Sequence, residues 1–243
     1  MSVKSDLLSA AMLLTRLPVR GTPTSPAARA VWAWPLAGLA VALIAGVAGL
    51  AVWAMGAQIP VAAFVVLAVQ VALTGALHED GLADVADGFW GGFDPARRLA
   101  IMRDSRIGTY GVVALVLSLL IRWSLIATAL IQGQLLAVLL IAGVASRAPM
   151  AVAMRWLPPA RGDGLSRGTG RPPAWGAQAS VAMAVLALAF AGMHGIVAGM
   201  LVTGLLLGLG LLARRKIGGQ TGDVLGALQQ VSEIAILVAL TAG

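Results

Sequence analysis

Apolar residues run in long blocks along this chain, and polar residues gather at the joints between the blocks. Seven blocks stand out, at residues 30–55, 61–77, 112–131, 135–154, 175–192, 196–213 and 224–243. Each approaches the ~20 apolar residues that cross ~30 Å of hydrocarbon. Only helices satisfy their own backbone polar groups at that depth when no closed barrel is available. The pattern predicts an all-α, polytopic integral membrane bundle of about seven transmembrane helices, built as one domain over residues 1–243. Before the first block, residues 1–29 place Lys4, Arg16, Arg20 and Arg29 among Leu7, Leu8, Met12, Leu13 and Leu17. That mixture suits a short amphipathic helix on the membrane surface followed by a Pro/Thr/Ser-rich loop. Three longer joints remain: an acidic and interfacial stretch at 78–111, an Arg-rich polar loop at 155–173, and a Gly-rich turn at 214–223.

Composition strengthens this reading. The chain is 59% hydrophobic with a mean hydropathy of +0.92, against an apolar share of about 45–50% in soluble domains. It has no cysteine, which excludes disulfides, thiolate metal sites and cysteine nucleophiles. The net charge of +7 raises nucleic acid as a partner, but the placement of the charges argues for topology instead. Sixteen of the 17 Lys and Arg residues lie in the N-terminal segment, the 78–111 loop, the fourth block with its following loop, or the 214–216 joint. All of these fall on one side of an alternating seven-span layout. Arg122 lies inside a block, and the opposite-side turns carry none. Positive charge marks the cytoplasmic side, so the expectation is a cytoplasmic N-terminus, an outer C-terminus, no nucleic-acid partner, and the three polar joints facing one compartment.

Only 11% of the chain is charged, yet six of its ten acidic residues lie between His78 and Gly111. On a helix turning about 100° per residue, Asp80, Asp84 and Asp87 fall within about 60° of one another. Three carboxylates on one stripe repel unless a cation neutralises them, and hard oxygen donors without thiolate favour Mg²⁺ or Mn²⁺. Beside Arg-rich loops such a stripe suggests phosphoryl or nucleotidyl chemistry. The bland alternative is a solvated acidic helix end, against which Gly81, Gly88, Gly91 and Gly92 count. His78-Glu79 is not a zinc-protease helix, because position 82 is Leu. His78 is either a polar group beside the metal or an interfacial structural histidine.

Asp94-Pro95 reads as the N-cap and first residue of a short interfacial helix burying Leu99, Ile101 and Met102. Beyond it, Arg103, Ser105 and Arg106 are candidate diphosphate ligands, and Asp104 is either a further metal ligand or a partner for an arginine. Thr221, Gly222 and Asp223 precede the last block, where helix N-terminal N–H groups favour an anion and Asp223 a metal. Glu233 sits ten residues into that block. An ionisable group at such depth is costly and usually serves an interior site, or else pairs with Arg122 or Arg147. Small-residue pairs at Gly195, Gly199, Gly204 and Gly208 predict close helix packing, within the chain or between copies as a homo-oligomer.

Three stretches together resemble one family. They are His78-Glu79-Asp80-Gly81-Leu82-Ala83-Asp84-Val85-Ala86-Asp87-Gly88, Ile101-Met102-Arg103-Asp104-Ser105-Arg106-Ile107-Gly108-Thr109-Tyr110-Gly111, and Gly218-Gly219-Gln220-Thr221-Gly222-Asp223-Val224-Leu225-Gly226-Ala227. With Thr15-Arg16-Leu17-Pro18 and Trp34-Pro35-Leu36-Ala37-Gly38 they are similar to the cobalamin synthase family, the adenosylcobinamide-GDP ribazoletransferases, over almost the whole chain. The resemblance implies a transferase of cobalamin biosynthesis in the bacterial inner membrane, multi-pass, with its active site facing the cytoplasm. Its substrates would be adenosylcobinamide-GDP and α-ribazole or its 5′-phosphate. A ribose 3′-hydroxyl would attack the phosphorus attached to cobinamide and release GMP, with Mg²⁺ required and a complex with other corrin-biosynthesis proteins compatible. On that reading Asp80, Asp84 and Asp87 hold Mg²⁺, and Asp104, Asp223 and Glu233 support them. The general base is Asp87 or, second, His78.

Two rival readings use other features. A CDP-alcohol-type membrane phosphotransferase also carries a membrane Asp-Gly motif, but Ala83 is followed here by Asp84 where that pattern has Arg. A membrane transporter would use Arg122, Arg147 and Glu233 to line a pathway, and would place charge near the midplane and not at one face.

Overall fold

A computed structural model describes residues 2–242, and those residues are helical throughout apart from short joints and one isolated backbone bridge. The elements are α1 (Val3–Leu14), a 3₁₀ segment (Ala27–Ala33), α2 (Trp34–Ala54), α3 (Ile59–Thr74), α4 (Leu77–Gly91), α5 (Pro95–Ile101), α6 (Thr109–Ile131), α7 (Leu135–Ala145), α8 (Ala148–Trp156), α9 (Leu165–Thr169), α10 (Ala174–Ala189), α11 (Gly192–Ile217) and α12 (Gly222–Thr241). Every predicted block has its helix. Among the described residues five stretches are long and apolar enough to cross a membrane: Ala27–Ala54, Thr109–Ile131, Leu135–Trp156, Gly192–Ile217 and Gly222–Thr241. The chain is a polytopic helical membrane bundle.

The second block departs from the expected straight span. α3 has 16 residues, about 24 Å, and α3 and α4 pass the same test only as a pair bent by 85°. The bend comes from two successive left-handed residues, Gly75 at φ 64° and Ala76 at φ 57°. Ala76 has a Cβ and pays for that conformation, so the turn is held from outside: the Arg16 N–H donates to the Leu73 carbonyl at 2.6 Å. The Arg16 side chain also fills the space beside Gly75. α4 carries His78, Glu79, Asp80, Asp84 and Asp87 among fifteen residues, and we place it outside the spanning set.

α1 buries its polar side. Ser5, Asp6 and Ser9 face the protein, while Val3, Leu7 and Met12 face out. Asp6 is almost fully buried and accepts from Arg29 Nε at 3.1 Å and Trp32 Nε1 at 3.0 Å. An apolar outer face on a helix too short to cross suits the expected surface-lying helix.

Two apolar clusters build the core. One gathers Ala10, Leu14, Trp34, Phe89, Met102, Met154, Leu157, Ile217 and Leu225 at the end where the charged joints meet. The other gathers Ala45, Val66, Ile126, Leu139, Ile236 and Leu237 toward the opposite end. Asp94 caps α5 by accepting the Arg97 N–H at 2.9 Å, and Met102 is buried while Leu99 and Ile101 are half-buried, close to the expected interfacial helix. The glycine pairs of α11 divide. Gly195 packs against the Leu188 backbone, but Gly204 and Gly208 have nothing within 4 Å of a Cβ position and lie on the outer face.

Candidate active site

The three polar joints do converge. The Arg98 guanidinium donates to the Lys216 carbonyl at 3.0 Å, and Lys216 Nζ donates to the Phe89 carbonyl at 2.6 Å. The 155–173 loop is tied to the Gly-rich turn by reciprocal backbone bonds, Ala160 N–H to the Gln220 carbonyl at 2.9 Å and Gln220 N–H to the Pro158 carbonyl at 2.8 Å. Arg103 pairs with Asp163 across the same surface.

α4 lies directly on α12. A Cβ at Gly81 would stand 2.7 Å from the Asp223 carbonyl oxygen and 3.0 Å from its Cα. Gly226 meets the backbone of His78 and Gly81 in the same way. Two glycines on facing helices allow this approach, and it brings the flanking side chains together: Asp80 and Asp84 from α4, Asp223 from the first turn of α12. Thr221 caps α12, its hydroxyl accepting the Val224 N–H at 3.3 Å and donating to Asp223 at 3.1 Å. Arg161 reaches in from the polar loop to Asp223 Oδ2 at 3.3 Å. Asp84 is half-buried in this group. Burial, then the negative charge of Asp80, Asp223 and Asp87, push its pKa up to about 7.

The expected Asp80–Asp84–Asp87 stripe therefore splits. Asp87 turns the other way and accepts backbone N–H groups with both oxygens, from Gly108 and Gly111 at the start of α6. Among the described residues no three His, Cys, Asp or Glu side chains converge closely enough to enclose a metal ion. The crowding of Asp84 by like charges and the all-oxygen donor set do fit Mg²⁺ held by one or two carboxylates, with water and substrate phosphate completing its shell.

Other expected ligands lie elsewhere. Asp104 is in the exposed joint before α6, bound by Arg106 through Nε at 3.1 Å and an Nη at 2.7 Å. Hydrogen bonds from Arg106 pull its carboxyl down to about 2. Of its two expected roles it takes the arginine partner. Arg103, Ser105 and Arg106 are all exposed on this joint, with both arginines already paired to carboxylates.

Glu233 is committed to a buried network and not to the carboxylate group. Arg122 donates to Glu79 at 2.7 Å, to Gln230 at 3.0 Å and to Glu233 at 3.1 Å. Arg147 reaches the other Glu233 oxygen at 3.4 Å, which Gln229 also occupies. Gln70 of α3 completes the contacts of Arg122 at 3.3 Å. Two guanidiniums and two carboxylates thus balance inside the bundle and join α3, α4, α6 and α12 to the α7–α8 joint. The residues that a transport pathway would need close on one another around about 10 Å³ of space. Both partners offered for Glu233 by the sequence are used. The missed members are Gln70, Gln229 and Gln230, and the available signal was an amide side chain inside an apolar block.

His78 is buried against Gly226, with Nε2 lacking a hydrogen-bond partner among the described residues. It borders both the buried network and a small apolar cavity lined by Trp34, Met150 and Leu225. It stands behind the carboxylates and not among them.

The comparisons agree with one another. The family model described as cobalamin-5-phosphate synthase matches residues 6–241. An adenosylcobinamide-GDP ribazoletransferase of Mesorhizobium japonicum is 44% identical over 242 residues, covering 97% of this chain and 92% of that protein. One from Bradyrhizobium diazoefficiens is 44% identical over 250 residues, covering 99% and 95%. One from a Sinorhizobium species is 46% identical over 222 residues, covering 87% and 85%. No solved structure matches.

Proposed function

Because the chain belongs to the cobalamin-5-phosphate synthase family, we propose that it joins adenosylcobinamide-GDP to α-ribazole, or to α-ribazole 5′-phosphate, with release of GMP. The observation that carries a mechanism is the Asp80–Asp84–Asp223 group, assembled where α4 rests on the N-terminus of α12. The ribose 3′-hydroxyl of the acceptor attacks the phosphorus attached to cobinamide. A new P–O bond forms there, the P–O bond to GMP breaks, and the hydroxyl proton goes to a carboxylate. Asp84 is the group placed to take it. It is half-buried beside Asp80 and Asp223 and, unlike Asp87, makes no side-chain hydrogen bond among the described residues, which leaves its oxygens open to a proton. What supports Asp84 over Asp87 and His78 is that Asp87 accepts two N–H groups of α6 and His78 is buried.

Mg²⁺, when bound at Asp80 and Asp223, would supply positive charge to the diphosphate and the leaving GMP. Arg161 positions Asp223, and Thr221 orients the first turn of α12 toward an incoming phosphate. Positioning and charge do most of the work in such transfers. The charged joints belong on the cytoplasmic side of the bacterial inner membrane by the positive-inside rule, which gives both soluble substrates access.

The test is product formation by the purified, bilayer-embedded protein: one joined corrinoid and one GMP for each donor consumed, dependent on the acceptor. Absence of product from demonstrably folded protein would remove the reading.

A further inference from the structure

Beside the carboxylate group, and separate from it, lies a cavity of about 450 Å³ between the end of α8, the polar loop and the Gly-rich turn. Its charged lining is Arg155, Arg167 and Arg171. Among the described residues none of the three has a carboxylate within ion-pair distance, whereas Arg103, Arg106 and Arg161 on the same face all do. Arg155 is instead held by backbone: it donates to the Pro172 carbonyl at 3.1 Å, and its own carbonyl accepts Arg171 Nε at 3.2 Å. Three guanidiniums around one space, with their charge unanswered, call for an anion.

The remaining walls say what kind. Trp156, Pro158 and Pro159 offer flat apolar surface, and the indole is itself seated on Gly210 of α11. Ser166 and Gln220 are buried at the edge and bonded to each other. The volume is far more than a phosphate needs and lies in the usual range for small-molecule sites, about 300–1,000 Å³. Pro159 pairs with Gln220 across the backbone bridge. Two residues beyond Pro159, Arg161 binds Asp223, so the cavity shares its wall with the reacting group.

The geometry points to a nucleoside 5′-phosphate subsite, with the phosphate on Arg155, Arg167 and Arg171 and the base on the Trp156–Pro158–Pro159 wall. This deepens the proposed function and rests on it for the choice between two sources: the guanosine phosphate of the donor or the 5′-phosphate of the acceptor nucleotide.

The experiment is equilibrium dialysis of GMP, α-ribazole 5′-phosphate and unphosphorylated α-ribazole, each alone, against full-length protein in detergent. Wild type is compared with Arg167→Gln and Arg171→Gln. Arg167 is exposed and unpaired among the described residues, so its replacement leaves the fold alone. Loss of one charged phosphate contact weakens binding about tenfold or more. That loss for GMP alone assigns the cavity to the donor; for α-ribazole 5′-phosphate, with α-ribazole unchanged, to the acceptor. Affinities for both nucleotides that match wild type in both variants, or no nucleotide binding at all, overturn the subsite and leave the arginines as membrane-surface anchors. Turnover of wild type is scored separately. Arginine-dependent nucleotide binding without turnover sinks the transferase reading, and turnover with arginine-insensitive binding sinks only the subsite.

Discussion

One oxygen of the Asp87 carboxylate accepts the Gly108 N–H at 2.7 Å and the other accepts the Gly111 N–H at 2.9 Å. A side chain at the middle of the acidic motif therefore serves as the cap of α6, reached from another helix. The two glycines are required by it, since a Cβ at Gly108 would stand 2.5 Å from the carboxylate and one at Gly111 would meet it as well.

Asp87→Ala removes the acceptor of two N–H groups at the start of α6, one of them buried, and should cost about 2 kcal/mol of stability. Thermal unfolding in detergent, followed by tryptophan fluorescence, should show a lowered midpoint. Asp84→Asn, which removes a charge the fold disfavours, should not lower that midpoint, yet should cut turnover at least about a hundredfold. An unchanged midpoint for Asp87→Ala contradicts the capping role.

A proton on Asp84 opposes a metal held beside it at Asp80 and Asp223. Its folded pKa, about 7, lies above the ordinary value of 3.8, so the fold disfavours the ionised form. The stability this group contributes is greatest below about pH 4 and is lost as pH rises through 7. Metal binding runs the opposite way. Between pH 6 and pH 8 the ionised fraction rises about tenfold, and Mn²⁺ affinity measured by electron paramagnetic resonance should rise by about the same factor. In Asp84→Asn the slope should disappear; a wild-type affinity flat in pH argues against Asp84 beside the metal.

Replacing Arg122 by Ala strands Glu79 inside the bundle and leaves Glu233 to Arg147 and Gln229; losing one partner of a buried pair costs about 3–5 kcal/mol. The variant should elute as aggregate on size exclusion. Glu79→Gln placed on the same background, which leaves Arg147 and Glu233 to balance each other, should recover monodisperse protein. Monodisperse Arg122→Ala alone would show that the network is not needed for assembly.

Gly81→Ala forces α4 off the Asp223 backbone and should reduce turnover more than tenfold, as small displacements of a reacting group do. Gly204→Ala, where the Cβ position is open, should be silent. Equal effects at both positions would deny that the close approach of α4 and α12 builds the site.

Much of this was legible in the sequence for a simple reason. Bilayer depth forces apolar blocks into helices, so all seven blocks have their helices, and charge excluded from the blocks must collect at the joints. The order of the motifs likewise placed His78–Gly111 and Gly218–Asp223 on one face. What periodicity does not carry is which side of a stripe meets which partner. Asp80, Asp84 and Asp87 share a helix face by arithmetic, yet α6 starts beside Asp87 and α12 starts beside Asp80 and Asp84. The 85° bend was hidden because Ala76 is an unremarkable residue in a left-handed conformation. The role of Glu233 was decided by Arg122 and Arg147, which lie 111 and 86 residues away in the chain.

The most direct measurement is GMP release from adenosylcobinamide-GDP and α-ribazole by liposome-embedded wild type and Asp84→Asn, each with and without Mg²⁺. Wild type should give equimolar corrinoid product and GMP only when Mg²⁺ and acceptor are both present. Folded Asp84→Asn should turn over at least about a hundredfold more slowly, in the range typical of a lost general base. Near-normal turnover by Asp84→Asn, or full wild-type activity in chelator, would contradict this mechanism.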